Sequence, residues 1–406
     1  MQIYLVVLLV LWSCIGFSQI PDAKNSNVQF HNNSNTNTIV PAIPSTNAND
    51  SVYPTPDRYE EIKVESKSVK KEVQPKSSTK AKTLLSAAPA ESSTQQMIQQ
   101  KSLEIEQVKS MAKYQSNQRT PTVEQKQEMT EKLDELKEVA PESFEYQLNV
   151  YATGNYDVTK EKYLQKATQM KPNHPEVLRL NAANAWVKGD TTTFNSKIKT
   201  LYNNQQLSEN WKNYSDDVIT SAQTSKVLVT HGQDDSFTAF YTQCQQVADK
   251  TIVVSLELMQ SLNYRNLLEK KGLLVPKNAV VDVNFLQNFC QLNANQGVAI
   301  SMTVPKDYLI PIKDKLYPFG LVFVYGEQNN RFTMQELEEL WFQKMNKLML
   351  YSTSSNDLIS NYLPTLIYLR NHYKQTGNLP MEQKVNTDIE KIELKVPQKT
   401  KSLKKY

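Results

Sequence analysis

The sequence predicts an α/β fold: a parallel sheet of about four strands covered by helices, behind an α-helical segment and a disordered N-terminal region,. Three observations carry that expectation. From residue 223 to 378, the runs "KVLVT", "TIVVSLEL", "VAISMTV" and "LVFVY" alternate with helical periods, and strands apolar on both faces belong to parallel sheets buried between helices. From 141 to 222, glycines and prolines punctuate amphipathic helices at a near-constant interval, as chain reversals between packed helices require. Residues 19–93 hold few apolar residues and no sustained period, so they cannot bury enough surface to offset chain entropy.

Composition sets the bounds. At 406 residues and 39% hydrophobic content the chain is long enough for more than one core,. Its net charge of +4 comes from interspersed Lys, Asp and Glu. Without a basic patch, nucleic acid is not an expected partner.

The opening "MQIYLVVLLVLWSCIGFSQI" reads as a signal peptide over 1–18, with an apolar run from Ile3 to Trp12 and then Gly16 and Ser18 at the −3 and −1 positions of a cut before Gln19,. The run is well short of the roughly 20 residues that cross a bilayer, and no later segment approaches that length, so no transmembrane span is expected. A soluble product outside the cytoplasm follows: periplasmic, secreted or at the cell surface. Cys14 raises an alternative, lipid attachment after a cut just before it, although Trp12 is bulky where such signals prefer small residues,. Residues 19–93 read as a disordered linker,. Within it Asp50-Ser51-Val52 resembles the short acceptor signal for O-linked glycans in the Bacteroidetes, and "GFSQ" resembles the end of secretory signals of that group. An ordinary linker serine is the other reading.

Residues 94–140 form a charged helical region, with Ile105, Val108 and Met111 as a thin apolar stripe and a break near Thr120-Pro121,. The segment 141–222 is more organised. Tyr151, Gly154 and Tyr156 mark a first turn, Tyr163 and Ala167 lie along a second helix, and Pro172 falls at its end. Pro175, Leu180, Ala183 and Gly189 then begin the pattern again. Gly154 and Gly189 are 35 positions apart, and over about 144–204 the chain resembles the tetratricopeptide repeat, whose period is about 34. Two repeats are fewer than the roughly three that usually stand alone, so helices near 122–140 and 208–222 are expected to close the ends,. The resemblance implies a concave face that binds another polypeptide. A packing spacer is the alternative.

In 223–378, "SFTAFYTQCQQVAD" has helical spacing through Phe237, Phe240, Tyr241 and Val247, and "NYRNLLEKKG" is a helix stopped by Gly272,. Helices follow at "VNFLQNFCQLN" and "KDYLIPIKDKLY". Together with the four strands these give a Rossmann-like three-layer arrangement. "TMQELEELWFQKMNKL" opens with a capping box, Thr333 and Glu336, and carries Leu337, Leu340, Trp341 and Leu348 on one stripe,. "DLISNYLPTLIYLRNHYKQTG" turns Ile359, Tyr362, Leu363, Leu366, Leu369 and Tyr373 inward, with a kink expected at Pro364 and a stop at Gly377,. A C-terminal helix and basic tail occupy 379–406. Cys244 and Cys290 fall in helices without clustered spacing and read as small buried hydrophobes rather than as a disulfide,.

The run Thr230, Gly232, Asp234, Asp235, Ser236, Phe237 and Tyr241, together with "IVVSLELMQSLNYRNLL", "GVAISMTVPKDYLIPIKDKLYPFGLVF" and "KMNKLMLYSTSSNDLISNYLPTLIYLRN", forms a second pattern over about 225–375. It resembles the soluble C-terminal part of a family of bacterial multi-pass membrane proteins grouped with O-mannosyltransferase-like, glycosyltransferase-C-type enzymes and labelled as a domain of unknown function. In that family the transferase chemistry is placed in the membrane-embedded half, which has no counterpart in this sequence. The resemblance therefore implies no inherited activity.

The loop "THGQDDSF" is the one place that gathers candidate ligands: His231, Asp234, Asp235 and Ser236. Open parallel sheets bind ligands beyond the carboxyl ends of their strands, where this loop is expected. Carboxylates at a helix N-terminus also act as caps and complement its dipole. The same charges repel phosphate, so a cation or sugar hydroxyls would suit the loop better than a nucleotide. The other histidines, His31, His174 and His372, are scattered. No catalytic residue, metal or cofactor is expected, since no nucleophile elbow, zinc-protease helix, phosphate loop or dinucleotide fingerprint occurs. Two functions remain open: a non-catalytic scaffold or adaptor binding another envelope protein, or an enzyme or accessory of envelope glycosylation acting through Asp234 and Asp235.

Overall fold

The computed structural model describes residues 89–113, 120–245, 251–326, 332–352 and 356–396. The expectations for the signal, Cys14, Asp50-Ser51-Val52, Val247 and the basic tail lie outside these residues. Helices α1 (Pro89–Lys113) and α2 (Val123–Val139) come first. Thr122 opens α2 with a capping box: its hydroxyl accepts from the Gln125 N–H, and the Gln125 side chain accepts from the Thr122 N–H,. Ile98, Ile105 and Val108 of α1 are buried, but Met111 is 57% exposed. Each three-residue step falls short of a full helical turn by about 60°, so a stripe built on such steps leaves the packed face at its third member.

Four further helices pair into two hairpins: α3 (Phe144–Ala152) with α4 (Glu161–Met170), and α5 (Pro175–Lys188) with α6 (Thr191–Asn203). Gly189 closes α5 at φ 77°, a left-handed conformation that glycine adopts without a Cβ clash,. Val177, Leu178, Leu180 and every residue from Ala182 to Val187 of α5 are buried. A helix apolar on all sides sits in the middle of a core, and α5 does: Trp186 stacks on Phe240 at 4.2 Å with rings 7° from parallel, and meets Phe194, Phe237 and Tyr264. Three of these rings belong to the segment that builds the sheet. The helix α7 (Glu209–Ala222) leads into that sheet.

The sheet is mixed and five-stranded, in the order β2-β1-β3-β5-β4. The chain runs through β1 (Val227–Thr230), α8 (Gln233–Gln245), β2 (Ile252–Ser255), α9 (Leu262–Lys270), α10 (Val283–Leu292) and β3 (Val298–Ser301). The short helix α11 (Lys306–Leu309) is followed by β4 (Leu316–Phe319) and β5 (Val322–Tyr325). Pairing of β1 with β2 and with β3 is parallel; β5 runs antiparallel to both β3 and β4. This corrects the expectation of about four parallel strands. Leu316 and Tyr317, read as the end of a helix, belong to a fifth strand, because Gly320 at φ 62° allows a two-residue hairpin turn with glycine at its first central position,. Helix α7 lies against β1 and β5, and α8 against β1 and β2.

Both sheet edges are blunted. On β2 the Ser255 N–H donates to the Tyr264 hydroxyl, which donates in turn to the Val253 carbonyl, so one phenol occupies the outward backbone groups. On the other side Pro318 of β4 has no N–H to offer,, and a later helix packs against this strand.

Beyond the sheet, α12 (Met334–Glu339) starts with the Thr333–Glu336 capping box and passes into a π turn at Leu340–Lys344. The helices α13 (Leu348–Tyr351), α14 (Leu363–Thr376) and α15 (Leu379–Lys395) complete the described chain. Helix α14 is the one against β4. Pro364 does not kink a longer helix. A 3-10 segment, Asp357–Tyr362, precedes α14, and the proline sits in its first turn, where its missing N–H has no intrahelical partner to lose,. Gly377 ends α14 at φ 71°. Asp217 of α7, buried, ties these helices in: its carboxylate accepts from the Asn346 N–H at 2.8 Å, the Lys347 N–H at 3.0 Å and the Tyr362 hydroxyl at 2.7 Å. The helical hairpins and the sheet fall in one compact unit.

Candidate functional site

The loop between β1 and α8 lies at the carboxyl end of the central parallel strand. Gly232, at φ 81°, turns the chain there, and the four expected ligands diverge in role. Asp235 is fully buried: one of its oxygens accepts from the His231 N–H at 3.0 Å and from the Thr303 hydroxyl at 2.6 Å. As the third residue of α8 it reaches back to the backbone just before the helix, much as the return arm of a capping box does. Burial pushes its carboxyl up to about 7, against the opposing pull of Thr303, the His231 N–H and Ser301,. Ser236 is likewise buried, its hydroxyl 2.9 Å from that of Thr230.

Asp234 points the other way, to the helical hairpins. Its carboxylate pairs with the Arg179 guanidinium of α5, whose other nitrogen donates to the Gln206 carbonyl at 2.7 Å. The His231 imidazole meets another carboxylate. Its Nε2 stands 3.4 Å from Oε1 of Glu257, which lies just past the carboxyl end of β2, and both side chains are only 6% exposed.

Tyr156 completes this junction. It occupies the αL region at φ 58°, uncommon for an aromatic residue,. Its carbonyl accepts from the Ser261 hydroxyl at 3.2 Å. Burial raises its phenol to about 12, a hydrogen bond with the Gln233 side chain opposes the rise, and the charges of Glu257, Glu176 and Lys109 act on it as well. The group therefore draws on α1, on the turn between α3 and α4, on α5 and on the loops after β1 and β2. It is a polar seam between the helical layer and the strand ends.

The remaining repeat residues hold the hairpins together. The Tyr151 hydroxyl donates to Asn184 Oδ1 at 3.0 Å, Asn184 donates to Glu161, and Glu161 pairs with Lys188. A Cβ on Gly154 would meet the Lys160 side chain at 2.8 Å and the Tyr151 carbonyl at 3.2 Å. Ala167 and Ala183 are fully buried, Tyr163 meets Tyr146 edge-on at 6.3 Å, and Pro172 lies exposed between hairpins. Cys244 and Cys290 are free thiols. Among the described residues, no group of three or more His, Cys, Asp and Glu is placed to hold a metal ion, and no helix is long and apolar enough to cross a membrane.

Arg179, Glu257 and Asp217 were not marked by sequence pattern. Asp217 carried a signal that periodicity could have read: it follows Tyr214 by three positions and precedes Ser221 by four, all on the buried stripe of α7,. Comparison with known protein families, with curated proteins and with solved structures finds no match.

Proposed function

We propose that this is an exported, non-catalytic interaction protein of a bacterial cell envelope, in which tetratricopeptide-like hairpins and a Rossmann-like core of parallel strands form a single platform for another envelope protein. The observation that carries this reading is the commitment of the acidic loop. Asp234 is bound to Arg179, and Asp235 is buried on the His231 N–H and Thr303, so both carboxylates act between parts of the chain. The inner face of α5 is likewise filled by Phe237, Phe240 and Tyr264. The hairpins thus grip the chain's own sheet, and the surface we assign to the partner is the outer sides of α1 to α4.

A second reading, an accessory of envelope glycan or protein glycosylation, draws on the position of the same loop at the carboxyl end of a parallel strand, next to His231 and Glu257,. Affinity isolation from the native envelope separates the two, with mass spectrometry of captured polypeptides and glycans. The first reading expects the Asp234→Asn, Asp235→Asn double variant to capture the same polypeptide as the parent, and charge reversal at the exposed Lys166 of α4 to weaken that capture. A glycan retained by the parent and lost from the double variant would favour the second.

A further inference from the structure

The connection from Gly272 to Val281, between α9 and α10, has no helix or strand of its own but is held at several points. Asn293 clasps Leu274 on both sides, accepting from its N–H at 2.9 Å and donating to its carbonyl at 2.7 Å. Val281 donates its N–H to the Thr120 hydroxyl at 3.0 Å, and its carbonyl accepts from the Tyr308 hydroxyl at 3.0 Å. Arg265 of α9 donates to the Asn278 carbonyl at 2.6 Å and the Ala279 carbonyl at 3.4 Å, and its guanidinium lies over the Phe285 ring at 4.8 Å. A loop fixed in advance loses little freedom when something binds it.

This loop runs back along α10, from Leu274 at the helix's C-terminal cap, Asn293, to the N-terminal cap, Asp282. Between loop and helix lies a concavity of about 370 Å³ lined by Pro276, Lys277, Asn278, Asn288, Gln291 and Leu292. Asn288, Gln291 and Leu292 stand at i, i+3 and i+4, one face of α10, while Phe285, Leu286, Phe289 and Cys290 fill the buried face. The two ends of the groove differ. Leu274 and Leu292, 55% and 46% exposed, make an apolar end. Lys277 stands farther along, next to the Asn278 that Arg265 holds. Among the described residues neither cation pairs with a carboxylate, and the side chains of Asn278, Asn288 and Gln291 make no hydrogen bond. The hollow beside Phe342 is different: Glu339 is paired with Lys344, and Lys384 sits over the ring at 4.3 Å.

A cation beside side-chain amides and apolar groups, with no carboxylate in the lining, complements a carboxylate attached to peptide groups and an apolar side chain. Amide side chains donate and accept in the pattern that a main chain needs. The volume is at the small end of the roughly 300 to 1,000 Å³ of ligand sites, which suits a chain end better than a long segment. We propose that this groove receives the carboxyl terminus of a partner polypeptide. Its terminal carboxylate meets Lys277, its last peptide groups lie between Asn278 and the Asn288–Gln291 face, and an apolar last side chain rests on Leu274 and Leu292. The inference rests on the reading of this chain as an interaction protein and adds the partner's chemistry. The loop is tied to Thr120, between α1 and α2, so a polypeptide lying along those helices has its end within reach of the groove.

An array of hexapeptides with free carboxyl ends, randomised at the last two positions, tests this on the full chain. A second array carries amidated ends, and a third an internal aspartate with an amidated end. Retention should require the free carboxylate, favour an aliphatic last residue, and fall as salt rises. For the best binder, read by fluorescence anisotropy, amidation and Lys277→Met should each weaken binding by about tenfold or more, the loss that accompanies one charge-assisted hydrogen bond. Leu292→Ser should relax the preference for an aliphatic end, and Asn288→Ala with Gln291→Ala should weaken binding without changing that preference. These side chains are exposed or half-buried, and unchanged urea midpoints show that the variants stay folded. The proposal is overturned if no free-carboxyl peptide binds the parent more tightly than it binds Lys277→Met, or if amidated ends bind equally well. Equal binding of the internal-aspartate array would also overturn it, by making the ligand an acidic side chain. An envelope polypeptide captured equally by the parent and by Lys277→Met would sink this inference alone, whereas capture of no polypeptide would remove the reading beneath it.

Discussion

A carboxyl group with no water around it keeps its proton well above the ordinary range, and Asp235 is in that position. Its folded pKa is raised from 3.8 to about 7, so between those values the folded chain binds more protons than the unfolded one. The associated stability is fully present below about pH 4, declines as pH rises, and is lost above about pH 7; at roughly 1.4 kcal/mol per pKa unit it amounts to a few kcal/mol. Urea denaturation from pH 4 to 8 should show this fall, and Asp235→Asn should flatten most of it. Asp217, also raised by burial, leaves a residual slope of the same sign. Asp234 calls for another measurement. A double-mutant cycle of Arg179→Met with Asp234→Asn is expected to give a coupling of about 1 kcal/mol, since side chains 17% and 27% exposed are only partly screened,. A coupling indistinguishable from zero would return Asp234 to the pool of free ligands. At this scale the sequence exposed half of the site. Two adjacent carboxylates at a helix start are a local pattern, but Arg179 lies 55 residues upstream and Glu257 at the end of another strand. A partner brought in by tertiary packing leaves no mark on the spacing around the residue it meets.

Elements were legible where one local force decided them. Gly189 and Gly377 stop helices in the left-handed conformation their positions imply, and the alternation of apolar runs with helical periods located β1, β2, β3 and β5. The hairpin was missed for a physical reason: "KDYLIPIKDKLY" begins as a helix, tightens into a 3-10 turn and ends as a strand, so a single period does not describe it. Strand direction was hidden too, because a buried strand is apolar on both faces whether its neighbours run with it or against it. The two kinds of turn should respond differently to a methyl group. A Cβ at Gly377 meets nothing, and Gly377→Ala should cost about 1 to 2 kcal/mol for the left-handed backbone alone,. At Gly320 the same methyl runs into Ser221 and Leu340. Ser221 also accepts from the Leu321 N–H at 3.0 Å and donates to the Asp217 carbonyl at 2.6 Å, so Gly320→Ala should destabilise more. Midpoints of urea denaturation compare the two directly.

The molecule as a whole is joined through α5, whose aromatic neighbours come from both the hairpins and the sheet. Truncating Trp186 to Ala should cost about 3 to 5 kcal/mol, and near-UV and far-UV signals should lose amplitude in one coincident transition. Separate transitions would mean that the helical layer and the sheet fold independently. That dependence was not legible beforehand. The repeat pattern implies an array closed at its ends by flanking helices, with a concave face left for a partner, and only the burial of α5 shows that its inner face is already filled. The sheet's own margins bear on how anything else can attach. With the Tyr264 phenol lodged across Val253 and Ser255 on one flank and an imino acid interrupting the other, a visiting peptide finds no row of free amides to zip onto. Growth of the sheet from chain to chain is discouraged by the same two residues, and recognition is left to side chains rather than to main-chain templating.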